Sequence, residues 1–485
     1  MNSEIFEKAK LYFLEGSKLY QENNYDLAEK QFIKSLELVP ERLSTILNLI
    51  SIFIKTDQKI KLQEILDKYK NLNNEKEILY GLAFNYYFCE SFSESVKICN
   101  KIIHFQEFRD SIQDLLASNY KKQKLFLDAL KIYKQKLKEN RNHLVFYNIG
   151  CLFLDLGRTR TAHYYFDKSK ELKNDDYTNL NNLSLCKLKL KEFKEGFLLF
   201  ENRLKKKTNA QEKKFNNIKS PNSPSEIKDK KILIWDEQGL GDTIQFSRFV
   251  IDLLKYTKNI TFVVNSKLAQ ILSNLNKDIF VTSYENLKTE KFDFQIPVCS
   301  LPKFLNIEKT EDINYYKLNI NYNDQDIISI DNNKLNVGLA WSGNKKYFLD
   351  SYRSIPFKYF KNLLNIKDIN FYKLSTDARE AENDQLNLYP NLFDLGHKSF
   401  FEISQFLKNL DLVISADTSF IHLAGILNIN SILLLHYSYD WRWFDNSKST
   451  VWYPSVKIIK QNKFDEWDNV FSQLLEKIKK LNFEK

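Results

Sequence analysis

Between Pro40 and Pro221 the chain contains no proline. Proline breaks helix interiors, so so long a stretch without one suits an array of helices. Tryptophan is absent until Trp235, and all six lie from there onward. The five cysteines, Cys89, Cys99, Cys151, Cys186 and Cys299, are scattered, with no CxxC and no Cys/His cluster. That argues against a disulfide framework or a zinc site, and for free thiols in a reducing compartment. No apolar run approaches the roughly 18 residues that a bilayer span needs. The N-terminal MNSEIFEKAK lacks the apolar core of a signal peptide. The expectation is a cytoplasmic protein with no transmembrane segment. Nor is one sign of charge in large excess: 72 Lys+Arg against 62 Asp+Glu leave +10 over 485 residues. No basic stripe with interleaved aromatics stands out, so nucleic acid is not expected as a partner.

What is present is packed material. Hydrophobic residues make up 43% and aromatics 14%, far above a disordered chain. The length exceeds what one core serves. The first half repeats at about 34 residues, with repeat starts near Ala9, Leu43, Lys76, Asp110, His143 and Tyr177. One column holds Gly16, Ile50, Ala83, Ala117, Gly150 and Ser184; a second holds Ala28, Leu62, Ser95, Ala129, Ala162 and Gly196. A third, mostly of larger residues, holds Phe32, Leu66, Cys99, Tyr133, Phe166 and Phe200. Small residues let the two helices of a hairpin approach, and the larger one fills the gap to the next repeat. The pattern resembles the tetratricopeptide (TPR) family, which implies a helical solenoid of about six repeats over residues 1–204 whose concave face takes a protein or peptide. Ile50 and Leu62 at the small positions predict a wider hairpin in the second repeat. Residues 205–230, rich in Lys, Asn and Ser, read as a linker.

From residue 231 the grammar changes to short apolar runs (ILIW, TFVVN, DLVIS, SILLL) alternating with helical patterns. These are buried parallel strands, and their order predicts two doubly wound α/β subdomains, 231–333 and 334–485, with a cleft between them. Gly239 and Gly241, two of only 11 glycines, share the loop after the first strand. A GxGxxG dinucleotide fingerprint would need glycine at Ile244, so the loop is not one. Asp242 opens the next helix; spacing alone favours an N-cap over a general base. Asp417, Thr418 and Ser419 cluster where a strand meets a helix, suiting a diphosphate at free N–H groups. His422, a turn further on, reads first as a tie between helix and loop. Trp441, Trp443 and Trp452 could stack a base or pack a C-terminal segment.

GLGDTIQFSR, GLAWSGN with the following RSIP, and SADTSFIHLAG resemble glycosyltransferase family 9, the ADP-heptose:lipopolysaccharide heptosyltransferases. The whole chain is similar to bacterial proteins that join tetratricopeptide repeats to such a domain. The resemblance implies a GT-B fold, two facing Rossmann-like lobes, with a nucleoside diphosphate sugar as donor and neither cofactor nor metal. It implies Asp242 as catalytic base, Arg353 on the diphosphate, and Asp417, Thr418, Ser419 and His422 around the nucleotide. Gly239, Gly241, Ser342 and Gly343 fall in the loops facing the donor. The repeats imply, by analogy, an acceptor that is a protein or a glycan.

Overall fold

The computed structural model describes residues 3–69, 75–205, 214–288, 291–320, 330–344, 350–375, 387–395, 397–445 and 448–484. Among these, twelve helices come first, from α1 (Ser3–Gln21) to α12 (Phe193–Phe200). The small-residue columns do what their size requires. A β-carbon on Gly16 would sit 2.9 Å from the Phe32 ring, and Ala28, Ala83, Ala117, Ala129 and Ala162 are fully buried. In the second repeat, with Ile50 and Leu62 in those places, α3 (Leu43–Lys55) packs on α5 (Glu75–Phe88) at least as extensively as on its partner α4 (Lys59–Tyr69).

Each hairpin turn carries one residue in the left-handed region: Asn23, Asp57, Glu90, Lys124, Gly157 and Lys191, recurring every 33 or 34 residues. The amide after each bonds five residues back, as in Asn24 to the Leu19 carbonyl and Glu192 to that of Lys187. This is the Schellman termination, which satisfies carbonyls the helix leaves open. Glycine would suit these positions best, yet only Gly157 has it.

Ten strands follow. β1 (Ile232–Trp235), β2 (Ile260–Val264), β3 (Ile279–Ser283) and β4 (Phe294–Pro297) form a sheet ordered β3-β2-β1-β4. β5 (Leu335–Ala340), β6 (Ile369–Lys373), β7 (Leu392–Asp394), β8 (Leu412–Ser415), β9 (Ser431–Leu435) and β10 (Val456–Lys460) form a second, ordered β10-β9-β8-β5-β6-β7. All pairings between them are parallel. The central strands are buried throughout, as parallel strands covered on both faces must be. The amphipathic helix Asp468–Glu484 covers one face of the larger sheet through Val470, Phe471, Leu474 and Ile478. The chain is thus an all-α solenoid of hairpins followed by an α/β part with two Rossmann-like sheets.

Two compact units emerge, Met1–Leu152 and Phe153–Lys485, divided inside α9 (His143–Asp155). The sequence pattern places its division at residue 204. The difference arises from what the last hairpins bury: α10 (Thr159–Leu172), α11 (Tyr177–Lys189) and α12 belong to the unit holding both sheets. Phe193, Phe197 and Phe200 of α12 join the core of the α/β part, edge-to-face on Phe444 and Trp441. The described part of the expected linker is packed too. Phe215 is buried against Trp235, Ile227 is fully buried, and the Lys219 carbonyl accepts from Gln295 N on β4. Residues 206–213 lie outside the described residues.

Candidate active site

Strand order reverses between β1 and β4 in one sheet and between β5 and β8 in the other. Loops leaving neighbouring strands part there, and the carboxyl ends open a crevice. The loops after β1, β5 and β8 carry Gly239, Ser342 and Gly343, and Asp417 and Thr418, while Gly241 and Ser419 lie in the first turns of the helices that follow β1 and β8. Every site residue expected from the sequence is at a switch point or packed against one.

After β1, Gly239 caps the helix Leu240–Asp252, and Asp242 Oδ2 accepts the Gly239 amide at 2.8 Å. This capping-box bond satisfies an N–H the helix leaves open. The left-handed residue of the loop is Gln238, not a glycine. Gly241 is needed for space: a β-carbon there would lie 2.7 Å from His422 Cδ2. Glu237, in the same loop, is buried and takes the Arg203 guanidinium in a forked pair, Nε to Oε2 at 2.9 Å. Arg203 sits just past α12 and also donates to Glu201 and Ser300.

After β8, Thr418 caps the helix Ser419–Ile426, its hydroxyl 3.1 Å from that of Ser415. His422 is buried, with Nδ1 3.0 Å from the Tyr453 hydroxyl and its ring beside Trp443. Burial, with Arg442 and Arg248 nearby, lowers its pKa to about 3. A neutral, enclosed imidazole ties the two switch-point helices together and is no proton carrier at neutral pH. Burial and the neighbouring Asp440 raise the Asp417 pKa to about 7, with Trp443, Arg442 and Arg353 pulling the other way.

After β5, Ser342 is buried and the Gly343 amide donates to Ser354 Oγ at 3.3 Å. Arg353 lies over Gly343: a β-carbon there would meet its guanidinium at 2.5 Å. Asp350 holds Arg353 Nε at 3.2 Å and Ser354 Oγ at 2.9 Å. Lys345 and Lys346, next along the chain, lie outside the described residues.

Arg442, which sequence spacing does not single out, is the hub. It follows β9 in the DWRW turn, Trp441–Trp443. Its Nη2 pairs with Asp242 Oδ1 and its Nη1 with Asp440 Oδ1 at 2.7 Å. These carboxylates raise its pKa although burial works against them. Arg442 thereby joins Asp242 to Asp440, and both Arg442 and Arg353 lie close enough to Asp417 to favour its charged form. A second unforeseen cation, Arg248 of GLGDTIQFSR, is buried and donates to the Trp452 carbonyl at 2.8 Å, a stitch rather than a ligand contact. All six tryptophans are buried, so Trp441, Trp443 and Trp452 serve packing. A lone arginine between tryptophans, two residues after an aspartate, was the available signal for Arg442.

Among the described residues no group of three or more His, Cys, Asp or Glu side chains is placed to hold a metal ion. No described helix is long and apolar enough to cross a membrane.

No family model matches the chain, and no curated protein matches it. Among solved structures, the match to the Escherichia coli ADP-heptose LPS heptosyltransferase II has 12% identity and a TM-score of 0.39, covering 52% of this chain and 99% of that one. The E. coli heptosyltransferase WaaC with ADP-2-deoxy-2-fluoro heptose matches at 12% identity and TM-score 0.35, over 51% of this chain and 99% of that one. Pseudomonas aeruginosa pilF matches at 16% identity and TM-score 0.31, over 44% and 99%.

Proposed function

We propose that the α/β part transfers a sugar from a nucleoside diphosphate sugar to a hydroxyl of a protein or glycan acceptor, while the TPR-type hairpins recruit the acceptor or a partner. The observation that carries this reading is the meeting of loops from both sheets' switch points around two arginines, Arg353 and Arg442, and the N-terminus of the Thr418 helix. The proposed step is a single inverting displacement. Asp242 takes the acceptor proton, the acceptor oxygen bonds the anomeric carbon, and the bond to the diphosphate breaks with its electron pair leaving on phosphate oxygen. Arg353, the Gly343 loop and the Thr418 helix stabilise that charge. Neither metal nor cofactor has a role in this step.

One observation favours a second reading. Asp242 already accepts from Gly239 and pairs with Arg442, so its carboxylate is engaged. A binding scaffold with a sugar-nucleotide-like module needs no free base. The two readings separate on incubation with a panel of nucleotide sugars, following thermal shift and release of nucleoside diphosphate, beside Asp242→Ala and Arg353→Ala. Turnover abolished by Asp242→Ala supports transfer. Binding without turnover supports the scaffold, and no binding at all sinks both.

A further inference from the structure

We infer that Arg442 is a donor-released latch: its guanidinium holds Asp242 until the diphosphate of the donor competes for it. The inference rests on the proposed transfer and adds to it a residue and an order of events. Arg442 is only 8% exposed, and its Nε has no hydrogen-bond partner. A buried guanidinium with an empty donor is an incomplete arrangement, because each buried N–H lacking an acceptor is costly. Gln245 is a second case, fully buried with neither amide atom partnered, and it lies one turn beyond Gly241 and Asp242.

A phosphate group presents several acceptor oxygens that match the planar arginine fork. Turning one edge of Arg442 toward phosphate fills Nε and gives up the Asp242 contact, while Asp440 keeps Nη1. Asp242 is then held only by the Gly239 amide and can accept a proton from an acceptor hydroxyl. Donor binding therefore precedes activation of the acceptor. The turn carrying Arg442 is held from outside the sheets. Phe444 adopts φ 49°, costly for a bulky residue, and is kept there by Phe193 and by the Asp445 amide on the Lys189 carbonyl. The Lys189 ammonium bonds the Tyr439 carbonyl at 2.7 Å. Helices α11 and α12 thus clamp the latch in position.

The test is a double-mutant cycle on the full chain, titrating ADP, UDP and GDP against the matching monophosphates. Arg442→Gln is expected to weaken the preferred diphosphate at least tenfold and the monophosphate less. Asp242→Asn, by freeing Arg442, is expected to tighten diphosphate binding in the wild-type background and to have no effect beside Arg442→Gln. Equal effects of Asp242→Asn in both backgrounds, or unchanged diphosphate affinity in Arg442→Gln, overturn the latch while leaving the proposed function intact. No nucleotide binding by the wild type overturns both. Arg442→Lys, which keeps the charge but not the fork, carries the same expectation if the glutamine variant fails to fold.

Discussion

His422 gives the site a pH signature that can be worked out in numbers. Its ring is buried between the two switch-point helices, beside Arg248 and Arg442, and the pKa falls from 6.5 to about 3. The unfolded chain takes up a proton below pH 6.5 and the folded one does not until about pH 3. Stability is therefore lost as pH falls through that window, at about 1.4 kcal/mol per pH unit. Between pH 7.5 and pH 5 the loss from this residue is about 2 kcal/mol. His422→Asn keeps an acceptor for Tyr453 but cannot titrate. Urea unfolding followed by tryptophan fluorescence isolates the relevant unit, because every tryptophan lies from Trp235 onward. The wild type should lose about 2 kcal/mol more than His422→Asn over that range. Equal losses in the two proteins would refute the buried, neutral histidine and the tight closure of helix on helix that rests on it.

Other outcomes follow from the same geometry. Asp417, with its pKa raised to about 7, works in the opposite sense: the folded state holds the proton longer, so stability falls as pH rises from about 4 to 7, and Asp417→Asn should flatten that decline in the same assay. Arg203→Met strands Glu237 in a buried place and should cost about 3–5 kcal/mol, read as a drop in melting temperature; a shift under a degree would mean Glu237 finds other partners. Gly241→Ala presses on a His422 ring that Tyr453 and Trp443 hold, and should lower both stability and nucleotide binding, whereas Gly343→Ala meets only the movable end of Arg353 and should affect binding alone. A chain of residues 143–485 should fold cooperatively, while one of residues 231–485 should not, since it loses Phe193, Phe197 and Phe200, each worth about 1.5–3 kcal/mol of burial.

The repeats were legible because steric need wrote them into residue size: alanine and glycine recur where helices touch. Their turns were not. Asn23, Asp57, Glu90, Lys124 and Lys191 take the left-handed conformation without glycine, so composition gives no mark of it. The parting of the chain inside α9 was hidden for a related reason. The columns run on unchanged through Phe200, and only the extra phenylalanines Phe193 and Phe197 show that the last hairpin faces another core. In residues 205–230, Phe215 and Ile227 among polar neighbours were the sign that a supposed linker packs. At the site, local motifs revealed the loops because glycine, aspartate and threonine must sit near strand ends to cap and to turn. Arg442 and Arg203 carry no local mark because their partners, Asp242 and Glu237, lie 200 and 34 residues away in sequence, and no periodicity records a pairing made only by the fold.

The claim that most needs a measurement is that loops from two sheets together grip a pyrophosphate. Calorimetric titration of nucleosides, nucleoside monophosphates and nucleoside diphosphates against the intact chain addresses it directly. Affinity should rise at least tenfold on adding the second phosphate to the preferred nucleoside, and Arg353→Ala should erase most of that gain. Equal affinity for nucleoside and diphosphate, or heat from neither, would contradict it.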